Sequence, residues 1–322
     1  MHPEGPSTSG ASTSPPTGDG HAAASTAAAS TAAALETADR AARAAGVRFD
    51  EVHDPGLAAD ASTLLDAVWA RETGSVMSPE ALIALAHAGG QVTVARADDG
   101  TVVAATAAFL GRDADTGATF LHSHVTGVLP AQVGRGIGTA CKWHQRAWCL
   151  SRGITEVRWT FDPLVRRNAV LNLVLLGAQV ARYDRDVYGP MADARNAGLP
   201  TDRLTASWVL DAPRVRAAAD GRPASPDLDG LRRAGAEPVL SVGADEEPRH
   251  HDVEAARRLI QIPADIESLR ARDRDLAVAW AAAIRGALGD ALAAGARVGG
   301  LTRDGWYLVT TTGGVAELAD RR

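Results

Sequence analysis

Three glycines in five residues, Gly134, Gly136 and Gly138, stand between two contrasting runs. The run before them, HSHVTGV, alternates like a strand; the run after them, IGTACKWHQRAWCL, reads as an amphipathic helix. Glycine reaches backbone angles closed to other residues, and its bare backbone lets a ligand approach closely. The first amides of a helix lack internal partners, and the helix dipole adds positive potential there. A strand, a glycine turn and a helix therefore form either a tight packing turn or a cradle for an anion that needs no lysine. Two phosphate motifs do not fit. The nucleotide P-loop needs Gly-Lys-Ser/Thr, but Lys142, the chain's only lysine, lies beyond the glycines. The dinucleotide fingerprint needs a third glycine where Ala140 and Cys141 stand, and it opens a first βαβ unit rather than following a meander.

The periodicity around this turn predicts an α/β chain with a mixed sheet. VRFDEV reads as a first strand, and Leu64, Leu65, Val68 and Trp69 have helical spacing. Ser78-Pro79-Glu80 opens a second helix with a capping hydroxyl, a proline and an early acid. Asp99-Gly100 marks a hairpin between two β-rich runs, and ATFLHSHVTGVLP supplies the third strand of a meander. After the glycine-led helix come a two-faced strand, ITEVRWTFDP, an apolar helix, RRNAVLNLVLLGA, and a strand, RLTASWVLD. This order lacks the strict alternation of a doubly wound parallel sheet.

Residues 1–33 hold Ser, Thr, Ala, Gly and Pro and no large apolar side chain, so they read as a disordered low-complexity tail, with a short helix after them ending at Gly46. Beyond Asp211, AAADGRPASPDLDG reads as a linker. Residues 236–311 read as an α+β extension: strands VLSVG and RRLIQIP, a long helix from Pro263 bearing Trp280, Ile284 and Leu288, and a hairpin over Asp304-Gly305.

Charge and composition exclude several classes. The net charge is −6 with no basic block, against a nucleic-acid surface. No uninterrupted apolar run reaches about 18 residues, and the N-terminus has no basic-apolar leader, so neither a membrane partner nor secretion is expected. Cys141 and Cys149 fall about 12 Å apart along one helix at ~1.5 Å per residue, too far to bridge, which points to a reducing, cytoplasmic setting. No His, Cys, Asp or Glu cluster has metal-ligand spacing, so no metal is expected.

The segment VTGVLPAQVGRGIGTA resembles motif A of the GCN5-related N-acetyltransferase (GNAT) superfamily: a strand, a proline, then Arg/Gln-x-x-Gly-x-Gly/Ala opening a helix. Gly136 and Gly138 take the two small positions, while Val133 stands where Arg or Gln is usual. ITEVRWTFDP and RRNAVLNLVLLGA resemble motif B, and the likeness covers residues 47–211. WTFDPLVRRNAVLNLVLLGA, Tyr188-Gly189, GLPTDRL and IPADI further resemble a little-characterised branch of predicted acetyltransferases with a comparable C-terminal extension.

The resemblance implies a GNAT-like mixed central sheet flanked by helices, and acetyl-CoA or another acyl-CoA as co-substrate. It implies that Val128 pairs with the pantetheine arm and that the amides of Val133, Gly134, Arg135, Gly136, Ile137, Gly138 and Thr139 hold the pyrophosphate. Arg135 either contacts phosphate or is a solvated surface arginine; Asn168 either bonds pantetheine or caps the helix after it. The implied reaction moves an acyl group from thioester to amine, so it needs a base. Leu173 stands where the family's tyrosine acid usually falls. His122 and His124, two residues apart on one strand face, are the candidate bases or a structural pair. Asp162 either binds the amine or serves a turn, and Tyr188 is the remaining candidate acid. The expected acceptor is a small-molecule amine or an amino acid, and the other partner to weigh is a second copy in a homodimer. The alternative is a catalytically inactive CoA-binding sensor or interaction module of the same fold.

Overall fold

A computed structural model describes residues 19–69, 74–189 and 199–311. Seven strands form the central sheet: β1 (Val47–Glu51), β2 (Gln91–Ala97), β3 (Val102–Arg112), β4 (Thr119–Val128), β5 (Glu156–Phe161), β6 (Gln179–Asp184) and β7 (Arg203–Val209). Their order across the sheet is β1-β2-β3-β4-β5-β7-β6. Every pair is antiparallel except β4 and β5, which run parallel. The parallel pair is expected because the glycine-led helix α4 (Ile137–Leu150) carries the chain back between them.

Helices cover both faces. On one, α2 (Pro55–Trp69) and α3 (Pro79–His87) pack Leu57, Leu64, Leu65 and Leu82 against Val92, Val94, Ala105, Ala107 and Val125. Ser78 caps α3 by accepting from the Ala81 N–H, with Pro79 in the first turn. Gly127 lies where α2 crosses β4: a Cβ there would meet Trp69 at 2.9 Å. On the other face lie α4 and α1 (Asp19–Ala45), which meet through Ala34, Ala38, Ala147 and Leu150.

Helix α1 corrects the expected tail, because residues from Asp19 onward are helical. Alanine has the highest helix propensity, and its small side chain lets two helices approach closely. Ala34 is fully buried, Ser30 donates to Asp211 at 2.7 Å, and Thr31 donates to the Leu150 carbonyl at 3.3 Å. The part of the expected tail before residue 19 lies outside the described residues.

Helix α5 (Arg166–Ala169) continues as a π-helical turn, Val170–Leu175, and buries Leu173 and Val174 in the main apolar core. The stretch read as a linker holds two short helices, α6 (Pro213–Ala219) and α7 (Leu228–Arg233), capped by a proline first turn and by Asp227 respectively.

The extension has its own sheet, from β8 (Glu237–Val242), β9 (Pro248–His250), β10 (Arg257–Gln261), β11 (Arg297–Leu301) and β12 (Trp306–Thr310), in the order β11-β12-β10-β8-β9. The single long helix expected here is broken: α8 (Ile266–Arg272) ends at Asp273, which caps α9 (Arg274–Ile284) through the Leu276 N–H. After α9 come a π-helical turn, Arg285–Gly289, and α10 (Asp290–Ala293). By length and composition alone Arg274–Ala293 could cross a bilayer. In the fold its Trp280, Ile284 and Leu288 are buried in one apolar core with Trp159, Phe161 and Trp208 of the central sheet. Tyr307 donates to the Pro163 carbonyl at 2.9 Å, and Arg270 pairs with Asp162 at 2.7 Å, so the extension grips the loop after β5.

Candidate functional site

The glycine turn follows β4 after a short 3-10 turn, Pro130–Gln132. Gly134 and Gly136 have φ of 89° and 83°, so both need glycine for conformation. Nothing lies within 4 Å of a Cβ built on either, and at Gly138 the nearest atom would be Val128 Cγ2 at 3.9 Å. Packing therefore explains none of the three. The first internal bond of α4 runs from Ala140 N–H to Gly136 at 2.9 Å, and no side chain caps the helix. The Ile137, Gly138 and Thr139 amides thus have no partner within the helix, and the dipole lies behind them. Val133 departs from the expected role: its N–H goes to the Pro130 carbonyl at 3.3 Å, and its side chain is exposed. Arg135 donates to Gln132 at 2.6 Å on the surface of the turn.

This cradle lies at the mouth of a gap between β4 and β5. The two strands pair only at Leu121 with Val157 and at His122 with Arg158; beyond that they diverge. Backbone groups on diverging strands lose their ladder and are left to another partner. Thr126 Oγ1, on the diverging part of β4, is buried with no hydrogen-bond partner. Val128, half-buried, packs on Ile137 and Cys141 at the cradle end. An extended arm bearing a pyrophosphate fits these features: amides for the anion, free strand edges for the arm, an orphan hydroxyl between them.

A bulge in β4 sits in the same region. Ala107 faces Val125 and Ala108 faces Ser123, so His124 has no opposite partner. His122 and His124 lie on the face shared with α2 and α3, where Phe109 stacks on His122 at 4.9 Å and lies tilted against His124 at 5.4 Å between ring centres. Burial lowers the pKa of both, and for His122 the charges of His124 and Lys142 add to it. Both are therefore neutral near pH 7.

Strand alternation brings Thr160 to the same face, and Thr160 bonds Tyr188 at 3.0 Å between hydroxyls. The structure thus gathers His122, His124 and Tyr188 on one side of the sheet. Asp162 is held elsewhere: its carboxylate accepts from the Leu164 N–H at 2.9 Å and from Arg270 at 2.7 Å. That is the turn role, reinforced by the extension. Asn168 does not cap α5, since Val165 holds the cap position; it is half-buried in the first turn. Leu173 is buried and apolar, with no proton to give.

The opposite face of the gap holds a group that composition hid. Lys142 is 6% exposed on the inner side of α4. Its Nζ donates to Ser123 Oγ at 2.8 Å and to Gln145 Oε1 at 3.1 Å, and lies 4.1 Å from the Trp159 ring centre. Burial pulls its pKa down to about 7. The signal available in the sequence was its place beside Cys141 and Cys149 on the apolar stripe of the helix, where a surface lysine does not belong. Among the described residues no group of three or more His, Cys, Asp or Glu is placed to hold a metal ion.

No family model matches the sequence, and no curated protein matches it. Solved structures do. The chain is similar to an acetyltransferase of the GNAT family from Streptococcus pneumoniae, at 12% identity and a TM-score of 0.40, over 50% of this chain and 98% of that one. It is similar to the ribosomal-protein-S18-alanine N-acetyltransferase from Escherichia coli, at 14% identity and 0.40, over 52% and 95%. A third is Naa50 from Arabidopsis thaliana in complex with a CoA-containing bisubstrate analogue, at 19% identity and 0.37, over 50% and 97%. Each of these three is matched over about half of this chain and nearly all of its own length.

Proposed function

We propose that the chain is a GNAT-type N-acyltransferase that moves an acyl group, most simply acetyl, from a CoA thioester to an amine. The observation that carries this reading is the side-chain-free glycine cradle opening onto the β4–β5 gap. The Ile137, Gly138 and Thr139 amides hold the pyrophosphate, and the pantetheine arm follows Val128 down the diverging strands. The thioester then lies near the bulge, within the sheet region that carries His122 and His124. A neutral imidazole takes a proton from the incoming ammonium, and the freed amine attacks the carbonyl carbon. The acceptor enters over the His122, His124 and Tyr188 face and is a small molecule or an amino acid. Two buried free thiols, Cys141 and Cys149, fit a cytoplasmic setting.

A second reading, a CoA-binding sensor that performs no chemistry, is favoured by one observation: Leu173 fills the position where an acid would be expected. Retention on a CoA affinity resin, followed by thiol release from acetyl-CoA across a panel of amines, separates the two. Retention with turnover supports the enzyme, retention without turnover the sensor, and no retention removes both.

A further inference from the structure

We propose that Lys142, acting through the Ser123 hydroxyl, supplies the proton to the sulfur that leaves when a thioester in the β4–β5 gap is cleaved. The proposal rests on the acyl-CoA reading above. Its geometric basis is the crotch of the gap. His122 with Arg158 is the last paired position, so Ser123 is the first β4 residue beyond it and Trp159 the first on β5. Lys142 touches both from beneath, donating to Ser123 at 2.8 Å and lying 4.1 Å from the Trp159 ring centre. A sulfur at the closed end of the gap therefore has the Ser123 hydroxyl as its neighbour, with an amine already donating to that hydroxyl.

The surroundings of Lys142 argue for a chemical role. It has no carboxylate partner among the described residues. Its second contact, Gln145, donates in turn to Gln91 at 2.8 Å, and both are neutral. Burying an ammonium with no counter-ion is costly, and an apolar residue would fill the space without that cost. The titratable groups facing it are Cys141 and Cys149 on its own helix and His122 across β4; the strand side otherwise presents Ser123 and Trp159. Burial pushes both thiols up to about 12, so neither ionises near neutrality. Lys142, drawn down to about 7, carries a proton that it releases readily to a thiolate of ordinary pKa near ~8.5.

The histidine that deprotonates the incoming ammonium first hands that proton to water; the amine nitrogen then bonds to the carbonyl carbon, and its second proton goes to the same, again neutral, imidazole. The C–S bond breaks and its electron pair goes to sulfur. Ser123 passes its hydroxyl proton to sulfur while Lys142 passes one of its own to Ser123 Oγ. The products are the amide, a CoA thiol, a protonated histidine and a neutral lysine. Water restores both groups through the open gap after CoA departs.

The test uses the full chain, free CoA and acetyl-CoA. Ultraviolet titration of bound CoA reads its thiol directly and needs no acceptor. In the wild type the bound thiol should ionise about one unit below free CoA; in Lys142→Met and in Ser123→Ala that shift should vanish while the CoA Kd changes little. With an amine that turns over, both variants should lose about 100-fold in kcat at similar KM. The wild-type rate should fall as pH rises through about 7, and Lys142→Met should lack that limb. An unshifted thiol in the wild type, or variants with wild-type thiol ionisation and pH profile, overturns the proposal alone. So does a covalent acyl ester on Ser123 found by mass spectrometry, which would make Ser123 a nucleophile. No CoA binding by the wild type overturns the acyl-CoA reading and the proposal together.

Discussion

At the residue scale, Gly138 is the sharpest probe of the donor site, since neither packing nor backbone angle asks for glycine there. Gly138→Ala should fold and bind CoA within a few-fold of the wild type. Gly138→Asp should fold as well, because a carboxylate in the first turn suits the helix dipole. It should nevertheless lose at least ~100-fold in CoA affinity, by placing a negative charge against a pyrophosphate. Isothermal titration of both variants checks this; equal affinities would remove the turn as the anion site. His122 and His124 give a pH prediction. Their folded pKa values lie below the ordinary 6.5, so kcat/KM should rise with pH through a value under 6.5, ahead of the fall that Lys142 imposes through about 7. Replacing the true base with Gln should abolish that rise and cost about 10²–10⁴-fold, whereas Gln at the other should preserve it. Lys142 gives a stability prediction. Its folded pKa of about 7 lies below its ordinary 10.5. Below pH 7 both folded and unfolded chains hold the proton, and the folded one bears the full burial penalty. Between about 7 and 10.5 the unfolded chain binds more protons, so stability climbs with pH. Lys142→Met lacks the penalty: urea midpoints should place it on the order of 2–4 kcal/mol above the wild type at pH 6, converging toward pH 10. The cradle and the histidine pair were legible in the sequence because spacing alone sets them. Lys142 was not, because a lone lysine in an arginine-rich chain looks like composition until its helix face is known.

At the element scale, the meander, the crossover helix and the two-faced β5 were legible because each buries one face and so carries a clear period. Strand β6 was not. It is the last strand of its sheet, largely exposed, and its residues Gln179–Asp184 show no apolar alternation. The break between α8 and α9 was missed because the apolar stripe runs on through Asp273, whose side chain starts a new helix instead of facing water. Residues 19–33 show no apolar period because alanine's helix propensity and the polar bonds of Ser30 and Thr31, not buried side chains, make them helical. Deleting residues 1–33 should lower the melting temperature by several degrees, since it strips Ser30 and Thr31 from their partners at Asp211 and Leu150. An unchanged melting curve would mean that the deleted part of α1 contributes nothing to stability. Between the two sheets, Arg270 and Asp162 are 13% and 14% exposed. Arg270→Leu leaves a carboxylate buried with one backbone donor and should cost about 3 kcal/mol by urea unfolding.

At the scale of the whole molecule, the central sheet and the extension share one apolar core, in which Trp159, Phe161 and Trp208 meet Ile260, Trp280 and Tyr307. Such a chain should unfold in a single transition, and truncation near residue 215 should yield insoluble protein, because it bares Trp208 and Phe161. A soluble truncation with full thiol release would show that residues 47–211 suffice. The position of Lys142 has one more consequence, for protein chemistry rather than catalysis. With the sole lysine in the interior, the outside of the molecule carries all its side-chain positive charge on arginine and histidine. An amine-directed reagent such as a succinimidyl ester meets only the α-amino group on the native chain, so native protein should gain one label and unfolded protein two. The second label then clocks each opening of the core around Lys142, a footprint that the sequence wrote in by having no other lysine to confuse it.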